Sequence, residues 1–596
     1  MIDSILSVLP PAAIMIAGGL LLPFLNRPLR LAWVLLIPVL TLIQVWHIPK
    51  GEALLTLSVA GFDINPIYAH PYTHIFATVF SIAAFVGGLF GLTQSKVSEA
   101  ASALIYAGGA IGVTFSGDFI SLFIYWEIMA VGSTMVIFAS DQGGAMRSGI
   151  RYALVHFLGG VILMAGIILH IMLSGDSTIV PLYADMAILF PKGYMFDMNG
   201  ISVWLILIGV LINAAAPPMS AWLPDSYPKA SAFGAVFLSA FTTKTSVFVL
   251  ITVFAGTELL IYVGLFMIFY GIVYAMLEND MRKILSYSVI NQVGFMVTGV
   301  GIGTELALNG AASHAFVHII YKSLLFMYAG SILYMTGKSR CSDLSGLYCS
   351  MKLTAICGTI GVLTVAAFPL TAGFLTKSMI SSAAMYEELK YVWLLLIAGS
   401  VGIYAWLLLI PAASGVSLSK GTKFPWFRLS RKDSGLSPED PPLNMKLAMV
   451  LLSLLCIIPA IPGMAELTIY RMLPNPVDGY VAYKASKVIS QSQLLIYSAI
   501  AFLVMLPMLK RTKTISLDFD WFYRVFARYF IVVVYTLVKF PARISVIVAK
   551  KIIKKGVKIV HYTHQPEGLL ARSQPLSVTA SWVLAMLGVY LIVYYL

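Results

Sequence analysis

The sequence is poor in charged residues and in cysteine. Charged side chains make up 11% of the 596 residues, and there are 4 cysteines. Soluble domains carry about 25% charged residues, so a soluble globular domain is excluded. Cys341, Cys349, Cys357 and Cys456 lack metal-ligand spacing, and no GxGxxG motif follows a strand pattern. We therefore expect no metal and no cofactor in this chain, and redox chemistry would belong to partner subunits.

Long apolar runs are abundant instead. Hydrophobic residues make up 59% of the chain, and the mean hydropathy is +0.89. About sixteen runs are near 20 residues long, the length that crosses roughly 30 Å of hydrocarbon. The first, 5–25, has no basic residue before it and no cleavage site after it, so we expect a retained helix. The predicted fold class is an all-α polytopic membrane protein with about sixteen transmembrane helices.

The net charge of +13 follows from the loops between these runs. If the N-terminus lies outside, most Lys and Arg residues fall in loops on the inner side, as the positive-inside rule requires. The sequence contains no nucleic-acid-binding motif, so we expect no nucleic acid partner. The distribution predicts a multi-pass protein of an inner (plasma) membrane with both termini on the outer side.

A few ionisable residues remain inside the apolar runs. They are Glu127, Lys244, Lys322 and Lys377. Each such residue costs about 2.5–3.5 kcal/mol at the bilayer centre on insertion scales, so they must face protein or water. In HAFVHIIYK, His314 and His318 precede Lys322 at spacings of four, which places all three on one helix face.

Two interpretations of these residues are open. They could be structural, as buried ion pairs and satisfied histidines, or they could form a proton path. Three lysines on separate helices outnumber the one glutamate that could pair with them. Two predicted spans also contain prolines beside the charges, namely Pro217–Pro218 and Pro369. Broken helices next to ionisable residues are typical of ion-transport cores, so the pattern favours the proton path.

Six motifs in order resemble the antiporter-like subunits of respiratory complex I, membrane-bound hydrogenases and Mrp-type cation/proton antiporters. The motifs are FIYWEIM (123–129), SAWLPDSYPKASA (220–232), FTTKTSVFVL (241–250), LENDMRKILSYSVINQVGFM (277–296), HAFVHIIYKSLLFM (314–327) and FPLTAGFLTKSMI (368–380). Together they cover about residues 100–380. WLPDSYP is especially similar to the D-type polypeptide of the Mrp antiporters.

The resemblance implies two inverted five-helix repeats, each supplying a half-channel with a broken helix. Glu127 with Lys244 would form the first charge station, and Lys377 the exit. The central relay would be the HAFVHIIYK triad of His314, His318 and Lys322. WLPD and FLTK, each beside a proline break, would take equivalent positions in the two repeats.

One position departs from the family pattern. Members usually carry a lysine on the seventh helix, nine residues before Trp222, where this sequence has Asn213. Asparagine carries no proton, so either Lys244 takes over the role or the first half-channel is altered or inactive.

The last part of the chain contains a long basic segment. From about 516 to 563, paired lysines every four residues oppose Ile and Val, which is typical of a helix on a membrane surface with anionic lipid. The segment and the apolar run after it resemble the lateral and anchoring helices of the distal complex I antiporter-like subunit. That resemblance implies neighbouring subunits, whereas a bare interfacial helix is the alternative.

Six regions follow from these assignments. They are N-terminal transmembrane helices (1–99), the first half-channel repeat (100–255), the second half-channel repeat (256–411), C-terminal transmembrane helices (412–509), an inner-side lateral amphipathic helix (510–576) and a final anchoring helix (577–596).

The expected function is proton translocation, with Na⁺/H⁺ exchange left open, by one subunit of a multisubunit complex in a bacterial inner membrane. The other membrane subunits and membrane lipids are the expected partners. An NADH dehydrogenase-type, hydrogenase-type or Mrp-type assembly fits equally, and no redox step is assigned to this chain. The alternative is a structural or regulatory subunit that has lost transport, which Asn213 suggests.

Overall fold

The structure is a computed structural model. It describes residues 9–59, 61–185, 188, 197–344, 347, 350–407, 436–474, 480–505, 518, 521, 525–566, 568, 570 and 575–595. Two compact units are present, 1–519 and 520–596.

The first unit is built almost entirely from helices. In chain order they are α1 (Pro11–Leu21), α2 (Arg27–His47), α3 (Thr73–Phe90), α4 (Val97–Phe115), α5 (Phe119–Phe138), α6 (Ala145–Ser174), α7 (Met198–Asn213), α8 (Trp222–Ser226), α9 (Ala232–Ala240), α10 (Thr242–Val253), α11 (Leu259–Leu277), α12 (Met281–Ile302), α13 (Glu305–Thr336), α14 (Lys352–Val365), α15 (Ala372–Tyr386), α16 (Lys390–Leu407), α17 (Leu443–Ile457), α18 (Met464–Leu467) and α19 (Ala485–Met505).

Eleven helical segments in the described part of the chain are long and apolar enough to cross a membrane. Shorter apolar helices, among them Met198–Asn213 and Lys352–Val365, lie within other predicted spans. They are short because the chain breaks near the prolines. The prediction of a polytopic helical membrane protein is therefore confirmed, at this coarser level.

A two-stranded antiparallel hairpin was not predicted. Strands β1 (Ala53–Val59) and β2 (Phe62–Tyr68) pair between α2 and α3. Asp118, which also caps α5, accepts a hydrogen bond from the Asn65 backbone N–H at 2.7 Å. The hairpin is thereby attached to the end of a helix that carries one of the predicted site residues.

Burial is greatest in the middle of the first unit. In the 18-residue apolar stretches of α12 and α13, 100% and 94% of the residues are buried. α13 packs against α9, α12, α14 and α15, and α12 packs along α11. Helices on the rim, such as α2 and α6, have 33% of the residues in their apolar stretches buried. They present apolar side chains outward, as expected for contact with lipid. The site residues of α13 therefore lie at the centre of the bundle.

In its described residues, the second unit contains two helices, α20 (Ala527–His564) and α21 (Leu576–Tyr595). α20 has 38 residues and runs without interruption through Pro541. At 1.5 Å per residue it is about 57 Å long. Its lysines from Lys550 to Lys558 and its Ile and Val residues are exposed in this unit. α21 is long and apolar enough to span a membrane.

Candidate functional site

The first helix break follows α7. The helix ends at Asn213, and Ala215 has a φ of 61°, in the left-handed region. The Ala216 N–H then donates to the Leu211 carbonyl at 3.0 Å, which closes a wide turn. Trp222 begins α8, and its indole N–H donates to the Ile212 carbonyl at 3.1 Å. The break therefore has a defined backbone structure, with its carbonyls partly satisfied by a side chain.

The second break follows α14 and repeats this local structure. α14 ends at Val365, and Ala367 has a φ of 56°. The Phe368 N–H donates to the Leu363 carbonyl at 3.0 Å. Phe374 comes seven residues after Ala367, and Trp222 comes seven residues after Ala215. The two breaks thus begin with the same left-handed alanine and the same turn, and by the same count Lys377 corresponds to Asp225.

Lys244 lies at a third interruption, between α9 and α10. Its side chain is fully buried, and its Nζ donates to the Ser239 carbonyl at 2.5 Å. Ser239 belongs to the last turn of α9, where carbonyls lack intrahelical partners and the helix dipole is negative. A buried ammonium is therefore solvated by a helix end in place of a carboxylate.

Lys377 is solvated in the same way. Its side chain is buried, and its Nζ donates to the carbonyl of Val365, the last residue of α14, at 2.6 Å. A second bond reaches Ser400 Oγ at 3.3 Å, and the Phe295 ring centroid is 4.9 Å from Nζ. A cation is thus held at the negative end of a helix, next to a polar hydroxyl and an aromatic face.

The triad of α13 lies in an unbroken helix between these two lysines. His314, His318 and Lys322 are each fully buried. Lys322 Nζ donates to Ser288 Oγ of α12 at 2.5 Å. His318 lies within electrostatic reach of Lys244, Lys322, His314 and Lys377, and neither of its ring nitrogens has a hydrogen-bond partner among the described residues. His318 is therefore the residue on which the other groups converge.

A direct hydrogen-bonded link joins the triad to the second break. His314 Nδ1 is 2.9 Å from Thr376 Oγ1, and Thr376 precedes Lys377 on α15. On its other side, His314 Nε2 is 3.5 Å from the Tyr321 hydroxyl. Tyr321 in turn donates to Gln292 Oε1 at 3.0 Å. The structure thus places polar atoms continuously from α12 through α13 to α15.

Glu127 lies in the first half and is positioned by a glycine. A Cβ placed on Gly160 of α6 would lie 2.0 Å from Glu127 Oε1, so the absence of a side chain there makes room for the carboxylate. Within the described structure Oε1 is buried and has no hydrogen-bond partner. No ion pair within 4.0 Å joins Glu127 to Lys244 in the described residues. The predicted first station is thus not a closed ion pair in this conformation.

His156 lies one helical turn before Gly160, next to Asn213. The imidazole is buried between Tyr152 and Trp222, with ring centroids 4.0 and 4.5 Å away. The Asn213 side chain lies near enough to influence it electrostatically. In the described part of the chain, His156 Nε2 and both polar atoms of the Asn213 amide have no hydrogen bond of normal geometry. A neutral polar cluster therefore occupies the place where the family usually has a lysine.

Asp225 has a different role from Lys377. Its carboxylate pairs with Arg151 of α6, 2.6 Å from Nη2 and 2.7 Å from Nε. Ser148 donates to its backbone carbonyl at 2.8 Å. Both guanidinium nitrogens contact the same oxygen, Oδ2, and this ion pair holds α8 against α6.

Sequence reasoning missed several polar partners of the site. Thr376, Tyr321, Gln292 and Ser288 connect the predicted residues, and all lie inside the motifs that carry the family resemblance. His156 lies inside an apolar run but carries no motif that would assign it to the site. Hydroxyl and amide residues are common in any membrane helix, so tertiary proximity alone identifies them.

The fold and this interior define a class of protein. The chain is a polytopic helical membrane protein whose broken helices surround a buried row of lysines and histidines. Residues 116–403, just under half of the chain, match the family described as "NADH:quinone oxidoreductase/Mrp antiporter, TM".

Individual relatives agree with that assignment. One is the D-type polypeptide of an Na(+)/H(+) antiporter from Alkalihalophilus pseudofirmus, 28% identical over 348 residues, which covers 55% of this chain and 69% of the relative. Another is the N-type polypeptide of an NADH-quinone oxidoreductase from Desulforudis audaxviator, 29% identical over 288 residues, which covers 46% of this chain and 56% of the relative. The sequence-based resemblance to the family is therefore confirmed.

A solved structure agrees with the fold. A chain of the Mrp complex from Dietzia sp. DQ12-45-1b superposes with a TM-score of 0.64 at 19% identity. The alignment covers 82% of this chain and 100% of that chain. The likeness extends well beyond the segment that matches the family.

Proposed function

We propose that the chain translocates protons within a multisubunit membrane complex, along the row of Lys244, the α13 triad and Lys377. One observation carries the proposal. The fully buried triad lies between two lysines, and each of these lysines is bonded to the carbonyls of a helix that ends inside the bundle. Purely structural lysines would be expected to pair with carboxylates.

The arrangement supports stepwise transfer. Burial disfavours two adjacent cations, so a proton arriving at one station discourages protonation of the next and favours its onward movement. His318 is near enough to sense four neighbouring groups, which suits an exchange point. Thr376 extends the route from His314 to the helix turn that carries Lys377. Water molecules would complete the gaps that side chains do not bridge.

The proposal is tested by proton flux in vesicles reconstituted with the complete complex. Lys322→Ala and Lys377→Ala should each reduce flux by about 100-fold, the lower end of the range for a positioned proton-transfer group. Lys338→Ala is the matched control, because Lys338 follows the same helix α13 and is exposed. Wild-type flux in both buried-lysine variants, with normal assembly, would overturn the proposal.

The finer architecture belongs to the same proposal. About sixteen spans, with both termini outside, accommodate the apolar helices and the loop charges. Two inverted repeats, 100–255 and 256–411, are supported by the matching backbone of the two breaks, at Ala215 and Ala367. Residues 1–99 and 412–509 would flank them as transmembrane helices, with 510–576 as the lateral helix and 577–596 as the anchor.

The assembly is proposed to lie in a bacterial inner membrane. The basic exposed face of α20 fits anionic lipid or an acidic neighbouring subunit. Na⁺ exchange is supported by the name of the Na(+)/H(+) antiporter relative, and a quinone reductase-type assembly by the name of the NADH-quinone oxidoreductase relative. Purification of the native complex and identification of its subunits would separate Mrp-type, complex I-type and hydrogenase-type assemblies.

A second candidate is a structural or regulatory subunit without transport. The cluster of His156 and Asn213 beside Glu127 favours it, because no cation among the described residues contacts that carboxylate. The two candidates differ in the outcome of the Lys322 and Lys377 substitutions. A scaffold would keep flux unchanged in both variants, while deletion of the whole subunit would dissolve the complex.

A further inference from the structure

A cavity of about 340 Å³ opens beside Lys377. Its walls come from α15, α16 and α19, and its polar side chains include serines of all three helices. Ser378, Ser400 and Ser490 are examples, and Gln491 lies on the α19 wall. A cavity of this size has room for several water molecules, each of which needs about 30 Å³, and the serine hydroxyls in its wall can bind them. Lys377 is therefore in contact with a space that water can fill.

A second lysine, Lys487 of α19, lines the same cavity. Its Nζ is shielded from solvent and has no hydrogen-bond partner among the described residues. The ammonium instead lies 4.2 Å from the centroid of the Tyr480 ring. The aromatic face stabilises the cation, while none of its N–H donors is used in a hydrogen bond to the described residues. Lys487 is not one of the residues in the proposed row from Lys244 to Lys377.

Two contacts fix Lys487 relative to the second break. Gln491, one turn further along α19, donates to the Ala366 carbonyl at 3.4 Å, next to the carbonyl that binds Lys377. The Tyr480 hydroxyl is 2.7 Å from Ser378 Oγ, and Ser378 follows Lys377 on α15. The chain from Tyr480 to Gln491 is therefore attached to both sides of the Lys377 site, and Lys487 shares the face of Gln491 on α19.

We infer that Lys487 is the outermost proton-exchanging residue of the path, receiving protons from Lys377 through the water of this cavity. The inference rests on the proposed function. Lys377 would release its proton to cavity water, and Lys487 would take it up on the neutral amine and pass it outward. The described lining contains no carboxylate, so no acidic side chain there would bind the released proton.

The groups around Lys487 restrict the roles that it can have. The titratable side chains are Lys377 and Tyr386 of the cavity wall, Tyr480 beneath the ammonium, and Lys484 on the same segment. A purely structural lysine would place its charge on an acceptor, and none is in reach among the described residues. Chloride bound between Lys377 and Lys487 would be the competing role, and it predicts a flux that depends on chloride concentration.

The test compares Lys487→Gln, Lys487→His and Lys484→Gln in reconstituted complexes with equal subunit content. Lys487→Gln should lower proton flux by about tenfold, less than an obligatory relay residue because cavity water offers a parallel route. Histidine has a reference pKa of about 6.5, so Lys487→His should recover flux at pH 6 and resemble Lys487→Gln at pH 8. Lys484→Gln, on an exposed neighbour, should match wild type.

Distinct results would overturn the inference. Wild-type flux in Lys487→Gln would remove the residue from the path. Equal losses in the Gln and His variants at both pH values would assign a structural role, and a loss that depends on chloride concentration would assign an anion site. Lys377→Ala serves as the reference. If Lys377→Ala also leaves proton flux unchanged, the proposed function itself fails. If Lys377→Ala loses flux while Lys487→Gln keeps it, only the inference about Lys487 fails.

Discussion

The two helix breaks begin with the same turn and carry opposite charges. After α7 and after α14 the chain takes the same left-handed alanine and the same wide turn. The first break then presents Asp225, paired with Arg151 on the neighbouring helix. The second presents Lys377, bonded to the carbonyl end of α14 and facing a cavity. One backbone solution thus serves helix anchoring in one half and a buried cation in the other.

This difference extends to the surroundings of each break. At the first, Asn213 ends the helix and His156 lies beside it, with no cation in hydrogen-bond contact with Glu127 in the described structure. At the second, Thr376 connects the break directly to the α13 triad through His314. We infer that conduction depends more on the second half than on the first.

The largest effect is expected at the two equivalent positions, Lys377 and Asp225. Lys377→Gln should reduce proton flux by about 100-fold, because it removes a proton-carrying group while keeping much of the side chain's length. Asp225→Asn should keep most of the flux and lower complex stability instead, because it weakens the pair with Arg151. Flux in vesicles and thermal stability of the purified complex measure the two effects. Equal flux losses in both variants would contradict the functional asymmetry.

The next effect concerns Lys244, the buried cation of the first half. Lys244→Gln should reduce flux by at least about tenfold, because Asn213 offers no substitute proton carrier. Adding Asn213→Lys to that variant should restore part of the flux and alter its pH dependence, measured across neutral to mildly alkaline pH. If Lys244→Gln alone conducts as wild type, Lys244 is not the partner that compensates for Asn213.

A smaller effect is expected from Gly160→Ala. The new methyl group would collide with the Glu127 carboxylate, which must turn away from α6. If Glu127 contributes to proton entry, flux should fall several-fold with the complex intact, and Glu127→Gln should add little further loss in the double variant. Gly143→Ala is the control, because its Cβ would have no neighbour within 4 Å. Unchanged flux would show that the first station is idle.

The smallest effect tests the link between the triad and the second break. Thr376→Val removes the hydroxyl 2.9 Å from His314 while keeping the side chain's shape. Flux should fall by up to about fivefold, since a typical hydrogen bond contributes about 1 kcal/mol, which corresponds to that factor. Thr359→Val on α14 is the control, because that hydroxyl bonds to a carbonyl of its own helix. A larger loss in the control would remove Thr376 from the path.

Much of this molecule could be predicted because the membrane restricts the choices. Apolar runs of sufficient length become helices, since unpaired backbone groups are too costly in hydrocarbon. The apolar run that contains HAFVHIIYK is one helix, Glu305–Thr336, and the four-residue spacing places His314, His318 and Lys322 together. The breaks after Asn213 and Val365 coincide with prolines. The hairpin of β1 and β2 was missed because two short strands in a loop carry no strong periodic signal.

By itself, the sequence determined that the chain crosses a membrane many times, where its helices break, and which ionisable residues remain inside. These features can be predicted from short stretches of sequence, because helix length, hydropathy and the effect of proline depend on residues that are close together in the chain. The tertiary structure decided which groups meet: Lys377 with Val365, His314 with Thr376, Lys487 with the cavity wall, and Glu127 with the space at Gly160. Those pairings join different helices, most of them distant in sequence, and packing sets the distance between them.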